Sequence, residues 1–267
     1  MSAENFSDVS LTSSANRGRA TGKACQGPTA EKAIVVRALH KSGSMFLYRY
    51  FQWLSWHAGY AFFSANNPSP NQEGALEPTA ENRCVCPLRD FEENEYSSIA
   101  DVDRIVQIFH VRDPRDMIVS EYFSFGWTHR IDSENPRAQQ WRKEVQKMTV
   151  DEYALGQPEF SRWPIEKKFE PIVQKEAGPN SLFVKYETMV TDFPTWSAQV
   201  SVPFDLRWPA LVKRWGLWKF RNEFKVDGKH KRRITPGDHR QQLTPATIEL
   251  LNQRYQPILE RFGYSFD

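Results

Sequence analysis

A short apolar run, a polar turn and an amphipathic helix follow one another twice along this chain, and this repeat is the strongest constraint on its fold. The first unit opens with the apolar run at residues 33–36. After a turn, apolar residues recur with the spacing of one buried helix stripe, at Leu47, Tyr50, Phe51, Leu54 and Ala58. The second unit has a strand at 104–109 and a helix from about 115 toward 125, introduced by Asp113 and Pro114, which suit a helix cap and a first helical position.

Further segments extend the same alternation of strands and helices. A third strand is predicted at 181–186, and a short one at 83–86 within a long loop at 66–95. A final helix is expected from Pro245 to near Gly263. Strands that alternate with helices pair in parallel, because each helical crossover returns the chain in the same direction. The sequence therefore predicts an α/β fold with a central parallel sheet flanked by helices.

The length of the chain fits one domain. Its 267 residues, of which 40% are hydrophobic, are enough to bury one substantial core. Residues 1–30 contain almost no large apolar side chains and cannot repay the entropy of becoming ordered. We therefore expect a flexible tail over residues 1–30 and a single domain over residues 31–267.

Charge and hydropathy exclude several classes of partner. The 35 basic and 33 acidic residues leave a net charge of +2, so there is no global basic field and no nucleic-acid partner is expected. The chain has no run of about 18 apolar residues and no apolar segment of a secretory signal in its first 30 residues. We expect a cytoplasmic protein without a membrane partner. Cys25, Cys84 and Cys86 lack the spacing of a metal knuckle, and no metal is expected.

The turn after the first strand, His40 to Ser44, has the composition of an anion site. A polar loop between a buried strand and a helix collects backbone N–H groups and the positive end of the helix dipole. Lys41 adds a full charge, and Gly43 lets the backbone approach a phosphate closely. The turn does not match the nucleotide-triphosphate pattern G-x-x-x-x-G-K-S/T, because Lys41 precedes Gly43 and Ala38 stands where the first glycine is needed. On this turn alone, a Lys-Ser-Gly turn without a ligand is an equal alternative.

Two motifs together resemble the PAPS-dependent sulfotransferases, enzymes that use 3′-phosphoadenosine 5′-phosphosulfate. The first turn is similar to their K-S-G-T-T-W loop, with Ser44, Met45 and Phe46 in place of Thr, Thr and Trp. After the second strand, the run from Arg112 to Asp116 matches the family motif R-N/D-P-K/R-D, and Ser120 follows Arg112 by the eight residues that the family motif has. An Arg at a strand end and a Ser two turns into the next helix can converge on one phosphate.

Two later segments add to the resemblance. Residues 182–187 are similar to a family strand that ends in L-x-Y-E-D, and Tyr186 takes the place of its tyrosine. Residues 232–239 follow the frame of the family's basic R-K-G-x-x-G-D-W segment, with the basic pair Arg232 and Arg233 and with Ile234 in place of the glycine.

The resemblance implies a fold, an activity and a set of binding residues. The fold would be the P-loop-like sulfotransferase fold. The reaction would transfer the sulfuryl group of PAPS to a hydroxyl group, in preference to an amine, and release PAP. The acceptor would be a small molecule, with a specialised natural product as one candidate. The protein would be a monomer or a homodimer. The implied donor-binding residues are Lys41, Ser42, Gly43, Ser44, Met45, Phe46, Arg112, Ser120, Tyr186, Arg232 and Arg233.

The resemblance leaves the catalytic base open. The small-molecule branch of the family takes its base from a K-T-H-x-P segment, and the counterpart here, residues 83–87, contains no histidine. Lys41 is expected to act on the leaving group, and His57 is the first candidate for the base. Asp90 or Glu92 comes next, followed by His40.

Two other functions remain possible at this level. The first is a sulfotransferase-like protein that binds PAPS or PAP without catalysis, because the expected base is absent from residues 83–87. The second is a nucleotide kinase, which shares the order of strand, loop and helix but requires a G-K-S/T loop that this chain lacks.

Overall fold

A computed structural model describes residues 33–64, 82–88, 105–129, 135–160, 164–206, 210–221 and 234–267. The side chains of residues 158–160 and 210–213 are excepted. The expected flexible tail, residues 1–30, lies outside the described residues.

Five parallel strands form one sheet at the centre of the protein. In chain order they are β1 (Ala33–Ala38), β2 (Ala61–Phe63), β3 (Arg83–Leu88), β4 (Ile105–Val111) and β5 (Ser181–Lys185). Their order across the sheet is β2-β3-β1-β4-β5, and every neighbouring pair is parallel. The predicted α/β class and parallel sheet are confirmed.

Ten α-helices are described along the ordered ranges given above. They are α1 (Ser44–Ala58), α2 (Pro114–Phe123), α3 (Pro136–Lys147), α4 (Val150–Phe160), α5 (Ile165–Val173), α6 (Tyr186–Thr191), α7 (Phe193–Ser201), α8 (Ala210–Arg221), α9 (His239–Gln242) and α10 (Pro245–Phe262). A π-helical turn, Ser124–Thr128, continues α2, and a 3-10 turn, Val202–Phe204, follows α7. Within the described chain, no helix is both long and apolar enough to cross a membrane.

The helices cover both faces of the sheet and create two apolar cores. On one face, α1, α6, α7 and α8 pack over side chains such as Ile108 of β4. On the other face, α2, α4, α5 and α10 pack over the next residue of the same strand, Phe109. Strands that are buried on both faces need apolar residues at nearly every position. This requirement explains the continuous apolar runs that the sequence shows at β1 and β4.

Helix α1 forms where its apolar stripe predicts. Gly43, with φ of 87°, stands before its first residue, and Gly59, with φ of 73°, ends it. Leu47, Tyr50, Phe51 and Leu54 are completely buried. The left-handed backbone of Gly59 is the usual end of a helix, because glycine adopts it without steric cost.

The second strand–turn–helix unit also agrees with its prediction. Asp113 Oδ1 accepts a hydrogen bond from Arg115 N at 2.9 Å, and Pro114 occupies the first helical position of α2. The helix ends at Phe123 instead of continuing toward residue 125, because the chain widens there into the π-helical turn. Strand β2 and the helices α3 to α9 were not predicted, although α5 carries an apolar stripe at Ile165, Phe169 and Ile172.

The order of the strands creates a crevice at one edge of the sheet. From β1 the chain crosses by α1 on one face toward β2, whereas from β4 it crosses by α2 to α5 on the other face toward β5. Ala38 at the end of β1 is level with His110, and Val111 at the end of β4 is level with Lys185. Ligands of open α/β sheets bind at such a switch point, outside the carboxyl ends of the strands. The turns after β1 and β4 both open there.

Helix α8 packs against α1 so closely that only glycine fits at one position. A Cβ atom on Gly216 would lie 2.1 Å from Cη2 of Trp53. Gly216→Ala is therefore expected to lower the free energy of unfolding by about 1–3 kcal/mol, because the indole must shift in a filled core. Gly178→Ala is the matched control, since a Cβ there would meet no atom within 4 Å. Chemical denaturation measures both, and equal stabilities of the two variants would contradict the close contact.

Candidate functional site

The turn after β1 is a tight loop with two left-handed residues. Ser42 donates both its backbone N–H and its hydroxyl to the carbonyl oxygen of Leu39, at 3.1 and 2.5 Å. Lys41 has φ of 65° and Gly43 has φ of 87°. A left-handed lysine is strained by about 1 kcal/mol or more, and such strain persists where the surroundings enforce it, often at binding sites. Alternation of this kind turns successive N–H groups toward one side, as in anion-binding loops.

The positive end of α1 opens onto this loop. The N–H groups of Phe46 and Leu47 both donate to the carbonyl oxygen of Gly43, at 2.9 and 3.1 Å. The N-cap residue of this 15-residue helix is Gly43, which has no side chain that could cap the first N–H groups. An uncapped helix start carries a partial positive charge and is a ready anion site.

Arg112 joins this loop to the second motif. Its Nη1 donates to the carbonyl oxygen of Lys41 at 2.7 Å, and its guanidinium carbon lies 4.3 Å from the centre of the Tyr186 ring. The ends of β1, β4 and β5 therefore meet at one arginine. Lys41, Arg112 and Tyr186, which the sequence offers from three separate segments, lie together in the crevice.

Arg112 keeps an unused donor although it is almost fully buried. Only 4% of the residue is exposed, and its Nε has no hydrogen-bond partner within the described part of the chain. Burial alone would lower the pKa of Arg112, but Tyr186, Asp116 and Glu187 together raise it, so the charge persists. A buried charge with an unsatisfied donor is costly, and an anion in the crevice would satisfy it.

Ser120 is available at the position that the second motif predicts. Helix α2 is buried along its length except at Ser120 and Phe123, which are partly exposed. The Ser120 hydroxyl therefore lies two turns into a buried helix, and the first turn of this helix borders the crevice. Contact of Ser120 with a ligand stays a prediction.

The chain that follows the C-terminal basic pair, from Ile234 to His239, is held beside this crevice. Arg232 and Arg233 lie outside the described residues, but the chain immediately after them is anchored. The hydroxyl of Tyr186 donates to the carbonyl oxygen of Ile234 at 3.0 Å. Asp116, which the sequence gave no partner, accepts hydrogen bonds from Gly237 N at 2.8 Å, His239 N at 3.0 Å and His239 Nδ1 at 2.7 Å.

The ionised form of Asp116 is favoured by this clasp. Burial would raise its pKa, yet the hydrogen bonds from His239 and the charge of Arg112 hold the pKa at about 2. Asp116 is the last residue of the second motif, and His239 stands where the family segment has tryptophan. Asp116, at the fifth position of the motif, was thus a sequence signal for this contact. The sequence alone did not identify His239 as its partner.

A second buried carboxylate supports the start of α2. Glu187 Oε1 accepts from Asp113 N at 2.9 Å, and its Oε2 accepts from the Tyr264 hydroxyl at 3.2 Å. Asp113 also pairs with Arg115 at 2.7 Å. The backbone that follows Arg112 is therefore fixed from two sides. Burial raises the pKa of Glu187 to about 7, against the lowering effect of the Asp113 N–H.

Two residues of the predicted donor loop face in opposite directions. Met45 is exposed, with 59% of its surface accessible, and can border a ligand. Phe46 is 8% exposed, and its ring packs within 6.0 Å of four other rings, those of Tyr50, Phe193, Trp196 and Phe220. Phe46, which the resemblance implies as a donor-binding residue, therefore packs in the core under the loop.

The candidate base His57 is not brought to the loop. It lies at the last turn of α1, thirteen residues after Ser44, which corresponds to about 20 Å along the helix axis. Its ring packs between Trp53 and Trp56, at 4.8 and 4.6 Å. The length of α1 therefore corrects the sequence-based choice of His57 as the base. Asp90 and Glu92 lie outside the described residues.

His40 is the candidate base that does lie at the loop. It precedes Lys41, is partly exposed, and stacks on Phe125 with ring centroids 6.0 Å apart. Phe125 belongs to the π-helical turn, and α3 holds this turn in place: Arg142 Nε donates to Phe125 O at 3.1 Å and Gln146 Nε2 to Gly126 O at 2.6 Å. The sequence did not reveal this support, because it depends on hydrogen bonds between two elements that lie apart in the chain.

Strand β3 carries no group that can accept a proton. Val85, which is 4% exposed, occupies the third position of the segment in which the family has its histidine. The flanking Cys84 and Cys86 are fully buried free thiols. Burial raises the pKa of Cys84 to about 12 and that of Cys86 well above its usual value, so both stay protonated at neutral pH.

An α/β sheet with a basic crevice at its switch point defines a class of anion-binding enzymes, and comparison with known proteins identifies the family. The sulfotransferase domain profile matches residues 102–263, more than half of the chain. The chain therefore belongs to the sulfotransferase family and is a sulfotransferase enzyme. This assignment excludes the nucleotide kinase. The matched range does not include Lys41, so the role of the first loop rests on its geometry.

Solved structures agree with this fold. The mouse sulfotransferase SULT7A1, in complex with PAP, has 14% sequence identity and a TM-score of 0.58, over 88% of this chain and 86% of that chain. Retinol dehydratase, in complex with androsterone and inactive cofactor PAP, has 12% identity and a TM-score of 0.47, over 87% and 81%. The likeness to the mouse enzyme shows the sulfotransferase fold. No curated protein sequence matches the chain significantly.

Glu187 predicts a pH dependence of stability. Its folded-state pKa of about 7 lies above the ordinary value of 4.5, so the folded protein binds more protons than the unfolded chain between these two values. The free energy of unfolding should fall as the pH rises through that range. Glu187→Gln is expected to flatten this slope, measured by denaturation at several pH values. The exposed Glu170→Gln should keep it, and an unchanged slope in Glu187→Gln would contradict the assignment.

Proposed function

We propose that this enzyme transfers the sulfuryl group of PAPS to a hydroxyl group of a small molecule and releases PAP. The observation that carries the proposal is the hydrogen bond of 2.7 Å between Arg112 Nη1 and Lys41 O, because it brings the two motifs together in one site. The sulfotransferase structure most similar in fold among those described above holds PAP.

The two ends of the donor would bind at the two motifs. The 5′-phosphosulfate fits the left-handed loop and the start of α1, where Gly43 and Ser44 would supply backbone N–H groups. Ser42 would shape the loop, because its N–H and its hydroxyl both already donate to Leu39 O. The 3′-phosphate would meet Arg112, whose buried Nε lacks a partner among the described residues, together with Ser120.

The basic pair Arg232 and Arg233 would close over the 3′-phosphate. The support for this is the clasp that follows it, in which Tyr186 holds Ile234 and Asp116 holds Gly237. These contacts bring the chain next to Arg112 immediately after the pair. A locally positive cover strengthens the binding of a multiply charged nucleotide.

The chemistry follows from the charges around the loop. The acceptor oxygen attacks sulfur, the bond between sulfur and the bridging oxygen breaks, and PAP leaves with that electron pair. Lys41 adjoins the start of α1, and its ammonium would neutralise the negative charge that develops on the departing phosphate. Arg112 fixes the Lys41 backbone and so positions the residue.

We assign the base to His40. Its imidazole belongs to the residue before Lys41, is partly exposed, and is oriented by the Phe125 ring at 6.0 Å. A hydroxyl that approaches the sulfuryl group over the loop would pass its proton to an imidazole nitrogen of His40. The acceptor would then lie between the loop and the π-helical turn, with Phe125 as an apolar wall.

Lys41→Ala and Arg112→Ala should separate transition-state stabilisation from donor binding. Arg112→Ala is expected to weaken PAP binding by about 2–5 kcal/mol, because it removes a buried charged contact. Lys41→Ala should lower kcat by about 100-fold or more with a smaller loss of PAP affinity. Titration calorimetry with PAP gives the affinities, and radiolabelled PAPS with an acceptor found by screening gives kcat.

The same measurements contain the controls. ATP, which has no 3′-phosphate, should bind the wild type much more weakly than PAP, and Arg112→Ala should reduce that preference. Equal losses of PAP affinity in the two variants would contradict the division of roles. Tighter binding of ATP than of PAP would overturn the donor assignment itself.

Three histidine variants test the base. His40→Asn is expected to lower kcat by about 100-fold to 10,000-fold while PAP affinity stays close to that of the wild type. His57→Asn, about 20 Å along α1 from the loop, should leave kcat unchanged. His129, whose ring centroid lies 6.0 Å from that of Phe125, is the rival candidate for the base. Loss of kcat in His129→Asn but not in His40→Asn would move the base to His129.

A further inference from the structure

Three tryptophans are exposed on the helices α1 and α8, which pack against each other. Trp56 is 74% exposed, Trp215 is 50% exposed and Trp218 is 67% exposed. Exposed large apolar side chains that lie close together usually mark a surface that binds something. Trp56 belongs to the last turn of α1, and the other two lie one turn apart on α8.

Helices α1 and α8 present these side chains as one surface. Gly216 lets α8 lie directly on Trp53 of α1, and the ring of Trp53 is 6.3 Å from that of Trp215. The same two helices carry exposed basic residues: Arg49, Arg214 and Lys219. We call these six exposed residues, three tryptophans and three cations, the tryptophan surface.

The charge of this surface has one sign. Helices α1 and α8 together contain five Lys or Arg residues and no Asp or Glu, although the whole chain is nearly balanced, with 35 basic and 33 acidic residues. Lys219 Nζ lies 5.1 Å from the Trp215 ring, so cation and indole are presented side by side. The partner of such a surface must be anionic and must also accept indole rings.

We propose that the tryptophan surface docks on an anionic lipid membrane. Indole rings settle at the level of lipid headgroups, where one side is apolar and the other is wet. Basic residues near them are drawn to anionic headgroups, and the two effects add. The attachment is peripheral, in accord with the lack of a membrane-crossing helix in the described chain. The expectation of no membrane partner considered only spanning segments.

A second copy of the chain fits the surface less well. A two-fold dimer through this face would place Arg49, Arg214 and Lys219 of one protomer against the same cations of the other. In a symmetric interface the same patch meets itself, so the like charges would repel. The proposal does not depend on the identity of the donor, because Trp56 lies twelve residues along α1 from Ser44, or about 18 Å.

Vesicle sedimentation of the full chain tests the proposal. The wild type should bind vesicles that contain phosphatidylserine and should bind pure phosphatidylcholine much more weakly, with a blue shift of tryptophan emission on binding. Arg214→Glu with Lys219→Glu should lower the partition coefficient by about 30-fold. Trp215→Ser with Trp218→Ser should lower it roughly tenfold and reduce the blue shift.

A matched control uses an exposed apolar residue and an exposed cation from the opposite side of the sheet. Leu250→Ser with Lys143→Glu should keep wild-type partitioning. Thermal unfolding and PAP titration of each variant verify the fold, and their results are independent of vesicle binding. Equal binding to both lipids, no binding to either, or an equal loss in the control would overturn the proposal. A wild-type dimer that the tryptophan variants dissociate, seen by light scattering without vesicle binding, would assign the surface to self-association.

Discussion

One hydrogen bond, from an arginine side chain to the backbone carbonyl of a lysine, joins the two halves of this site. Arg112 ends β4 and Lys41 follows β1, and their hydrogen bond of 2.7 Å closes the switch point of the sheet. Because Arg112 is buried, its charge needs surrounding support, which comes from Tyr186, Asp116 and Glu187. The same three residues anchor Ile234, Gly237 and the Asp113 backbone. The crevice is thus built outward from a single guanidinium.

Strong local signals predicted the parts of the fold that the donor side needs. The apolar stripe of α1, the Asp113 cap of α2 and the run of β4 each reflect a requirement that neighbouring residues satisfy among themselves. Helix α5 was missed although its apolar stripe at Ile165, Phe169 and Ile172 is a local signal. Contacts between distant segments have no such signal: Arg142 of α3 donates to the carbonyl oxygens of Phe125 and His129, which no local spacing indicates.

The two histidine candidates for the base show why sequence proximity is a poor guide to a site. His57 follows the donor loop on the same helix, yet a straight helix carries it about 20 Å away, whereas His40 stays at the loop because it precedes the turn. Clustered residues came instead from segments more than seventy positions apart, as with Arg112 and Lys41. A parallel sheet gathers its strand ends at one edge, so topology, rather than distance along the chain, selects the neighbours.

The hydrogen bonds that fold the first loop also determine how much order a ligand must impose. Ser42 is tied twice to Leu39, and the Lys41 carbonyl is tied to Arg112. A loop that is already fixed loses little conformational entropy when an anion enters, so more of the contact energy remains as affinity. The cost of the left-handed backbone at Lys41 is then met during folding, before any ligand binds. The loop is therefore preorganised for an anion.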